Sequence, residues 1–179
     1  MSIGSRDMTK IHLPRWEEFP AFDLYIDQVI AFVSEYLSGF NHSDEPFLTA
    51  SMINNYVKNG VLHAPVKKKY NREHLAKLMV ICICKRMLPL SYISESISLM
   101  SRVYEISEGY DIFCDEVEYE IKSTVSPESY PPHTISEAET KRLQTMRLLA
   151  SSVARILVFD RLLEQRRRIS EAVGKMINK

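Results

Sequence analysis

A short and strongly delimited helix in the first third of the chain places the tightest limit on the fold. Thr49 is a favourable N-cap residue, and Leu48 before it can pack on Ile53 as a hydrophobic staple. Gly60 follows at the position where a left-handed residue commonly ends a helix. These signals predict a helix of about three turns over residues 49–59. Its polar members are Ser51, Asn54, Asn55 and Lys58.

The elements around this helix predict a helix-turn-helix with a wing. A helix from Asp23 to about Leu37 precedes it, with apolar residues at helical spacing. Residues 61–70 have β-branched and aromatic ends, a central Pro65 and three consecutive lysines, which is typical of a small hairpin or wing. Asn71 then caps another helix. Two short helices, a basic wing and a third helix follow one another as in a winged helix-turn-helix.

Helical periodicity continues downstream. A helix starts at Ser91, after Pro89 breaks the preceding one, and an amphipathic helix covers residues 108–123. The beginning of the chain is rich in Pro and aromatic residues and is interpreted as an irregular arm. We therefore expect an all-α fold with a small β wing, divided into an N-terminal arm at 1–22, a winged helix-turn-helix at 23–105 and a C-terminal helical region at 106–179 with a linker at 126–133.

The end of the chain predicts one long helix. Ser136 and Glu139 form a capping box, and the helix continues to about Arg168, on the order of 45–50 Å. It is apolar almost all round between Leu143 and Leu163, which a lone surface helix does not tolerate. Two interpretations stay open: the helix is the centre of the bundle, or it pairs with a copy of itself. We expect a homodimer formed through the C-terminal helices.

The charges are arranged in blocks, although the formal net charge is zero. Residues 1–55 carry −5, residues 56–94 carry +7, residues 95–134 carry −7 and residues 135–179 carry +5. Because a binding partner responds to the local field, the +7 block is the candidate anion-binding surface. The alternative is a lysine face that is simply solvated.

Composition argues against several classes of protein. The 45% hydrophobic content excludes disorder along the whole length, and three cysteines cannot build a disulfide framework. We recognise no secretory signal, and the most apolar window, residues 148–159, is too short for a membrane span. We therefore expect a cytoplasmic protein that contacts no membrane.

No motif indicates an enzyme, a cofactor or a metal site. Walker loops, dinucleotide fingerprints and nucleophile elbows are all missing from the sequence. Cys82 and Cys84 point to different faces of a predicted helix, so they do not complete a tetrahedral site with His74. An acidic row without a Gly-containing loop is interpreted as an exposed helix face rather than a cation site. The row consists of Asp111, Asp115, Glu116, Glu118 and Glu120.

Two segments carry a family resemblance. In Leu48-Thr-Ala-Ser-Met-Ile-Asn-Asn-Tyr-Val-Lys-Asn-Gly-Val-Leu62 a small polar cap leads to a helix that contains an aromatic residue and ends in Gly and two aliphatic residues. It is similar to the recognition helix of the MerR family. The wing exit and next helix of that family resemble Lys68-Lys69-Tyr70-Asn71 followed by Leu75, Leu78 and Ile81. The likeness covers roughly residues 24–105 and implies a MerR-like winged helix-turn-helix that binds double-stranded DNA.

The same stretch has a narrower resemblance. Together with Trp16, the segment Asp23–Val29 and His74, it resembles the bacterial domain-of-unknown-function family 1836 over most of residues 11–125. That family has no assigned biochemical role, so this resemblance implies a fold and not an activity.

The chain departs from the MerR pattern in the helix and in the wing. Asn54 and Asn55 stand where MerR relatives usually have Arg and Tyr, and only the following Tyr56 is kept. The arginine that normally holds a phosphate is therefore missing. The wing lacks the usual Gly-Tyr before its exit, and no effector signature follows it. Metal sensing is not carried over, and a small-molecule effector stays unknown.

The residue types nevertheless suit duplex recognition. Asparagine matches N6 and N7 of adenine, so one of Asn54 and Asn55 would face a base and the other a phosphate or the protein. Lysines neutralise phosphates, and hydroxyl groups and a helix N-terminus bind them. The alternatives are capping or a solvated face for the asparagines and core packing for the tyrosines. The predicted DNA-binding residues are Thr49, Ser51, Asn54, Asn55, Tyr56, Lys58, Lys67, Lys68, Lys69, Tyr70 and Arg72.

The leading hypothesis is a dimeric transcriptional regulator. Its helix over residues 49–59 would read the major groove, and its lysine-rich wing would hold phosphates. One copy contacts few bases, so paired half-sites are expected. The alternative is a protein-interaction module of the same fold that does not bind DNA, which the missing arginine and the acidic flanks favour. An enzyme built on His74 or the acidic row is the third class.

Overall fold

The structure is a computed structural model that describes residues 8–40, 46–131 and 137–177. The described residues are mostly helical and contain one two-stranded sheet, so the expected all-α class is confirmed. The helices are α1 (Ile26–Leu37), α2 (Ala50–Lys58), α3 (Arg72–Cys84), α4 (Leu90–Met100), α5 (Ile106–Val125) and α6 (Glu137–Ile177), and the strands are β1 (Leu24–Tyr25) and β2 (Lys69–Tyr70).

Each of these helices contributes buried side chains to one hydrophobic core. No helix in the part of the chain that the structure describes is long and apolar enough to cross a membrane. Residues 1–7 of the predicted arm, Ser136 of the predicted capping box and residues 132–133 of the predicted linker lie outside the described residues.

The sheet corrects the predicted start of α1 and the predicted wing. β1 and β2 are antiparallel, with Leu24 opposite Tyr70 and Tyr25 opposite Lys69. Because Leu24 and Tyr25 are extended in this pairing, α1 begins at Ile26, and Asp23 is not its N-cap. The predicted hairpin within residues 61–70 is reduced to a tight turn at its end, and the strand after that turn pairs with β1.

Both ends of α2 form as predicted. The Thr49 side chain accepts a hydrogen bond from the Met52 amide at 3.2 Å. At the other end Gly60 has a left-handed φ of 71°. The Gly60 and Val61 amides donate to the carbonyls of Val57 and Tyr56, at 3.1 and 2.9 Å. This is a Schellman motif, which satisfies the last carbonyls of the helix.

The core is built around α3. Asn71 caps this helix by accepting from the His74 amide at 3.2 Å, as predicted. The helix is buried on almost every side, so the predicted opposite faces of Cys82 and Cys84 both lie in the interior. Burial raises the pKa of the Cys82 thiol to about 11 and that of Cys84 to about 12. These thiols pack as apolar groups.

Acidic side chains of α5 bind the N-terminal arm, which corrects their interpretation as an exposed face. Glu118 is only 6% exposed. Its Oε1 accepts from the Leu13 amide at 2.7 Å and from the Arg15 guanidinium at 2.8 Å. Asp115 pairs with the same guanidinium at 2.7 Å, and Asp111 accepts from the Trp16 amide at 2.8 Å. The partners lie about a hundred positions away in the sequence, so the local pattern did not indicate them.

Glu116 joins α5 to α6. It is 7% exposed, and its Oε1 accepts from the Arg147 guanidinium at 3.0 Å. The other carboxylate oxygen and one terminal nitrogen of Arg147 are buried without a hydrogen-bond partner in the described part of the structure. The pair is therefore only partly satisfied.

The two halves of the long helix α6 have different surroundings. Met146, Ala150 and Val153 are buried, and this part of α6 packs against α5 as a member of the bundle. The helix continues beyond the predicted end at Arg168 to Ile177. Its second half carries exposed apolar side chains, so that half has no place in the core.

Candidate nucleic-acid interface

The outer face of α2 is polar and exposed. Ser51, Asn54, Asn55 and Lys58 are all exposed, whereas Ile53 and its neighbours on the opposite face are buried. Positions three and four residues apart lie on one face of a helix, so these four side chains form one surface patch. We call this patch the α2 face. It is the arrangement that a helix needs in order to enter a groove while it stays attached to a core.

The two asparagines of the α2 face have different partners. The Asn59 amide nitrogen donates to the carbonyl of Asn55 at 2.8 Å and to its side-chain oxygen at 2.9 Å. Asn55 therefore holds the end of the helix, in line with the capping alternative. Asn54 has no such bond within the described ranges, so both its donor and its acceptor are available for a base edge.

Thr49 has a structural role at the start of α2. Its side-chain oxygen is occupied by the Met52 amide, and the residue is half-buried. The hydroxyl proton and the first backbone amides of the helix remain the groups that could meet a phosphate.

The lysines of the predicted wing lie on a tight turn. The Lys69 amide donates to the Val66 carbonyl at 2.9 Å, which closes a four-residue turn. Both central residues are left-handed, with φ of 51° at Lys67 and 63° at Lys68. Two consecutive left-handed residues are the signature of a type I′ turn, which normally contains Asn and Gly. We call residues 66–69 the lysine turn.

The lysine turn points its charges outward. Lys67 and Lys68 are exposed and pair with no acidic side chain in residues 8–40, 46–131 or 137–177. The ammonium of Lys69 lies 5.2 Å from the centre of the Tyr25 ring, a cation–π contact across the sheet.

The other cations of the +7 block have bonding partners within the protein. Arg72 pairs with Glu17 at 3.1 Å, and Lys77 pairs with Glu73 at 2.6 Å. Lys85 donates to the Phe47 carbonyl, and Arg86 pairs with Asp160 at 3.1 Å. The cations of this block that have no acidic partner in the described ranges are therefore Lys58, Lys67 and Lys68, which are exposed, and Lys69, which is half-buried beside the Tyr25 ring.

Three predicted DNA-binding residues are placed elsewhere by the structure. Tyr56 is 7% exposed and Tyr70 is 3% exposed, and both belong to the hydrophobic core. Burial raises the pKa of both phenols. Arg72 bonds the Pro20 carbonyl at 3.3 Å as well as Glu17, so it fixes the N-terminal arm on α3. The two tyrosines therefore pack in the core, which was the alternative for them, and Arg72 forms an ion pair with the N-terminal arm.

Sequence reasoning missed a cavity between α3, α4, α5 and α6. It has a volume of about 320 Å³, and its walls include Val80, Ile97, Phe113 and Leu149. It is formed by residues from four helices, so no local motif could have indicated it. None of the predicted DNA-binding residues lines it. In the described ranges, no group of three or more His, Cys, Asp or Glu side chains is placed to hold a metal ion.

The fold and the α2 face define a mostly helical domain in which a short capped helix and a basic turn are presented from one core. Comparison with protein families identifies the domain. The family model described as "Domain of unknown function (DUF1836)" matches residues 14–117, and the chain belongs to that family. The match begins in the N-terminal arm and ends in α5, so it covers the α2 face and the lysine turn. No curated protein and no solved structure matches the chain significantly.

Proposed function

We propose that this protein is a DNA-binding transcriptional regulator with a MerR-like winged helix-turn-helix. In this proposal α2 lies in the major groove, Asn54 reads a base edge, and the lysine turn contacts phosphates on a neighbouring strand segment. The observation that carries the proposal is the exposed and unpartnered state of Asn54, Lys67 and Lys68 in the described part of the chain.

The geometry of α2 supports base reading. Its inner side is anchored by Ile53 and its ends are fixed by the Thr49 cap and the Schellman motif at Gly60. A helix held in this way presents its outer side chains from a backbone that is already ordered before binding, which lowers the cost of association. Asparagine offers one donor and one acceptor, which adenine matches with N7 and N6.

The internal use of four acidic residues weakens one objection to duplex binding. Sequence blocks of −5 and −7 on either side of the basic block would repel a duplex if they were exposed. Glu116 and Glu118 are buried and paired with arginines, and Asp111 and Asp115 bind the N-terminal arm. Lys58 and the lysine turn are therefore opposed by less surface acid than the sequence suggests.

A gel shift on random-sequence duplex tests the proposal. We expect retardation at low salt that weakens steeply as salt rises. Four lysines that neutralise phosphates give a slope of up to about −3.6 in a plot of the logarithm of the binding constant against the logarithm of the salt concentration. We call this quantity the salt slope. Replacement of Lys67, Lys68 and Lys69 by Ala should abolish the shift. Glu128→Ala, at an exposed acidic position after α5, serves as a control and should leave it unchanged.

The second candidate is a protein-interaction module of the same fold. The absence of an arginine in α2 and the exposed apolar residues in the second half of α6 favour it. The two candidates differ in one result: an intact protein that never shifts DNA, even at low salt, is an interaction module.

A homodimer is part of the proposed function. The α2 face offers few base-reading groups, and two copies would read two half-sites a helical turn or more apart. We propose that the C-terminal helices join the copies and that the protein works in the cytoplasm without a bound cofactor.

A further inference from the structure

The cavity between α3, α4, α5 and α6 has the size of a small-molecule site. Its volume of about 320 Å³ falls within the range of ligand pockets, which starts at about 300 Å³. An engineered cavity of about 150 Å³ binds benzene. By that comparison, this cavity has room for roughly a dozen non-hydrogen atoms.

The walls of the cavity are mainly hydrocarbon. Each of the four helices contributes an apolar side chain, and these are Val80, Ile97, Phe113 and Leu149. A water molecule is held firmly only where roughly two to four polar groups bond it. An apolar ligand that displaces poorly held water from such walls gains affinity.

A glycine keeps part of this space open. Gly109 lines the cavity from α5, in the interior of a helix, where glycine is less favourable than any other residue except proline. Outside its own helix and its chain neighbours, a Cβ at this position would have one described atom within 4 Å, the Cβ of Tyr104 at 3.5 Å. A larger side chain would therefore extend into the cavity.

Exposed apolar side chains surround the mouth of the cavity. Leu99, near the end of α4, is 50% exposed, and Val103, in the turn that follows, is 60% exposed. Both belong to the cavity lining. Along the described length of α4, Ile93 is the one fully buried residue. A bound ligand would cover apolar surface at the mouth and give α4 contacts that it lacks.

The charges at the cavity favour a neutral ligand. The described lining includes two charged residues, Lys77 and Glu105. The Lys77 ammonium bonds to the Glu73 carboxylate at 2.6 Å, and Glu105 is exposed to water. A charged group is costly to bury without a partner of opposite charge, and the described lining offers no unpaired buried charge.

Two hydroxyl groups are available for a polar end of the ligand. Ser96 and Tyr104 both line the cavity and are half-buried. In the part of the chain that the structure describes, their hydroxyls bond to no other residue. A hydroxyl both donates and accepts, so either residue can bond a hydroxyl or a carbonyl group.

We propose that this cavity binds a neutral, mainly hydrocarbon molecule of about a dozen non-hydrogen atoms that carries one hydroxyl or carbonyl group. The proposal does not rest on DNA binding, because none of the predicted DNA-binding residues lines the cavity.

Titration calorimetry of the full-length protein with n-decanol tests the proposal. This probe has about the proposed size and one hydroxyl. We expect one site with a dissociation constant in the micromolar range and an increase in Tm at saturating n-decanol. Decanoate, which has the same chain length and a negative charge, should bind at least about tenfold more weakly. A wild-type protein that shows neither binding heat nor a higher Tm with n-decanol would overturn the proposal, and equal affinity for decanoate would overturn the neutral class.

Two variants test the location of the site. Gly109→Met fills the cavity and should weaken binding of n-decanol by at least about tenfold, without a lower Tm in the unliganded protein, because Met favours a helix more than Gly does. Val103→Asp places a charge at the mouth, at an exposed position that the fold tolerates, and should also weaken binding. Gly174→Met makes the matched change on the exposed end of α6, where a Cβ meets no described atom within 4 Å, and should keep the wild-type affinity.

Wild-type affinity in both Gly109→Met and Val103→Asp would place the ligand elsewhere and overturn the proposal. The cavity and the proposed function fail separately. A protein that binds n-decanol and shifts no DNA keeps the cavity site and loses the proposed function. A protein that shifts DNA and binds no n-decanol loses the cavity site and keeps the groove-reading helix.

Discussion

The lysine turn gives a prediction in which stability and DNA affinity move in opposite directions. Lys67 and Lys68 both have left-handed φ values. A residue with a Cβ pays about 1–2 kcal/mol in this conformation, whereas Asn tolerates it and Gly adopts it freely. Lys67→Asn with Lys68→Gly creates the preferred type I′ sequence. It also removes the two exposed lysines of the lysine turn.

The expected gain in stability follows from these numbers. Relief at two positions is worth about 2 kcal/mol, and the greater freedom of Gly in the unfolded chain offsets about 0.5–1 kcal/mol of it. The net gain of about 1 kcal/mol corresponds to an increase in Tm of about 2–4 °C for a chain of this size. In a fluorescence-anisotropy titration against KCl, the loss of two phosphate contacts should make the salt slope shallower by about 1.8.

A matched variant separates charge from backbone conformation. Lys67→Ala with Lys68→Ala removes the same two charges but leaves residues with a Cβ in the left-handed region. We expect it to lose the same salt slope without any gain in Tm. The reasoning about the turn is refuted if the Asn-Gly variant is no more stable than the Ala-Ala variant. The reasoning about phosphates is refuted if both variants keep the wild-type slope.

The remaining predictions concern the α2 face and the ion pairs of α5. Asn54→Ala should relax sequence preference in a selection from random duplexes more than it lowers overall affinity; an equal loss on every sequence would assign Asn54 to phosphate contact or folding. Arg15→Gln should cost about 2 kcal/mol in urea unfolding, because it leaves the buried Glu118 carboxylate without its main partner. Arg147→Ala should likewise destabilise the protein by about 2 kcal/mol or more. Glu116→Leu with Arg147→Leu should be nearly neutral, because that double change also removes the two buried atoms that have no hydrogen-bond partner. A double variant as unstable as the single one would contradict this.

The Arg15–Glu118 pair also predicts a pH dependence. Burial alone raises the pKa of Glu118, but the hydrogen bonds from Arg15 and the Leu13 amide and the nearby charges outweigh it and hold that pKa below its usual range. The pair therefore contributes stability above the unfolded pKa of about 4.3 and loses it as the pH falls through the folded pKa. Between pH 6 and pH 3, the wild-type protein should lose more stability than Arg15→Gln. The difference should correspond to the uptake of about one more proton on unfolding of the wild type. Parallel pH profiles would contradict the pairing.

What could be predicted from the sequence depended on how local the causes are. The ends of α2 were predicted correctly because the Thr49 cap and the Gly60 motif are made by atoms within a few residues of each other. The exposed state of the α2 face follows from the same helical periodicity. The cap of α3 at Asn71 is equally local.

The errors arose where distant residues decide the structure. Asp23 has the properties of an N-cap, but Leu24 is held in a strand by Tyr70, far along the chain. The acidic row of α5 has the spacing of an exposed face, but its partners belong to the N-terminal arm and to α6. The Lys67-Lys68 pair carries none of the Asn-Gly signal of a type I′ turn, so its left-handed conformation could not be predicted from propensity.

Site-specific photo-cross-linking tests the central claim most directly. Benzophenone attached at Asn54→Cys and at Lys68→Cys probes the α2 face and the lysine turn, and the same label at the exposed Val103→Cys, between α4 and α5, is the control. On duplex DNA at low salt we expect cross-links from positions 54 and 68 and none from 103. Cross-links from 103 with none from 54 would show that DNA, if it binds at all, meets a different surface.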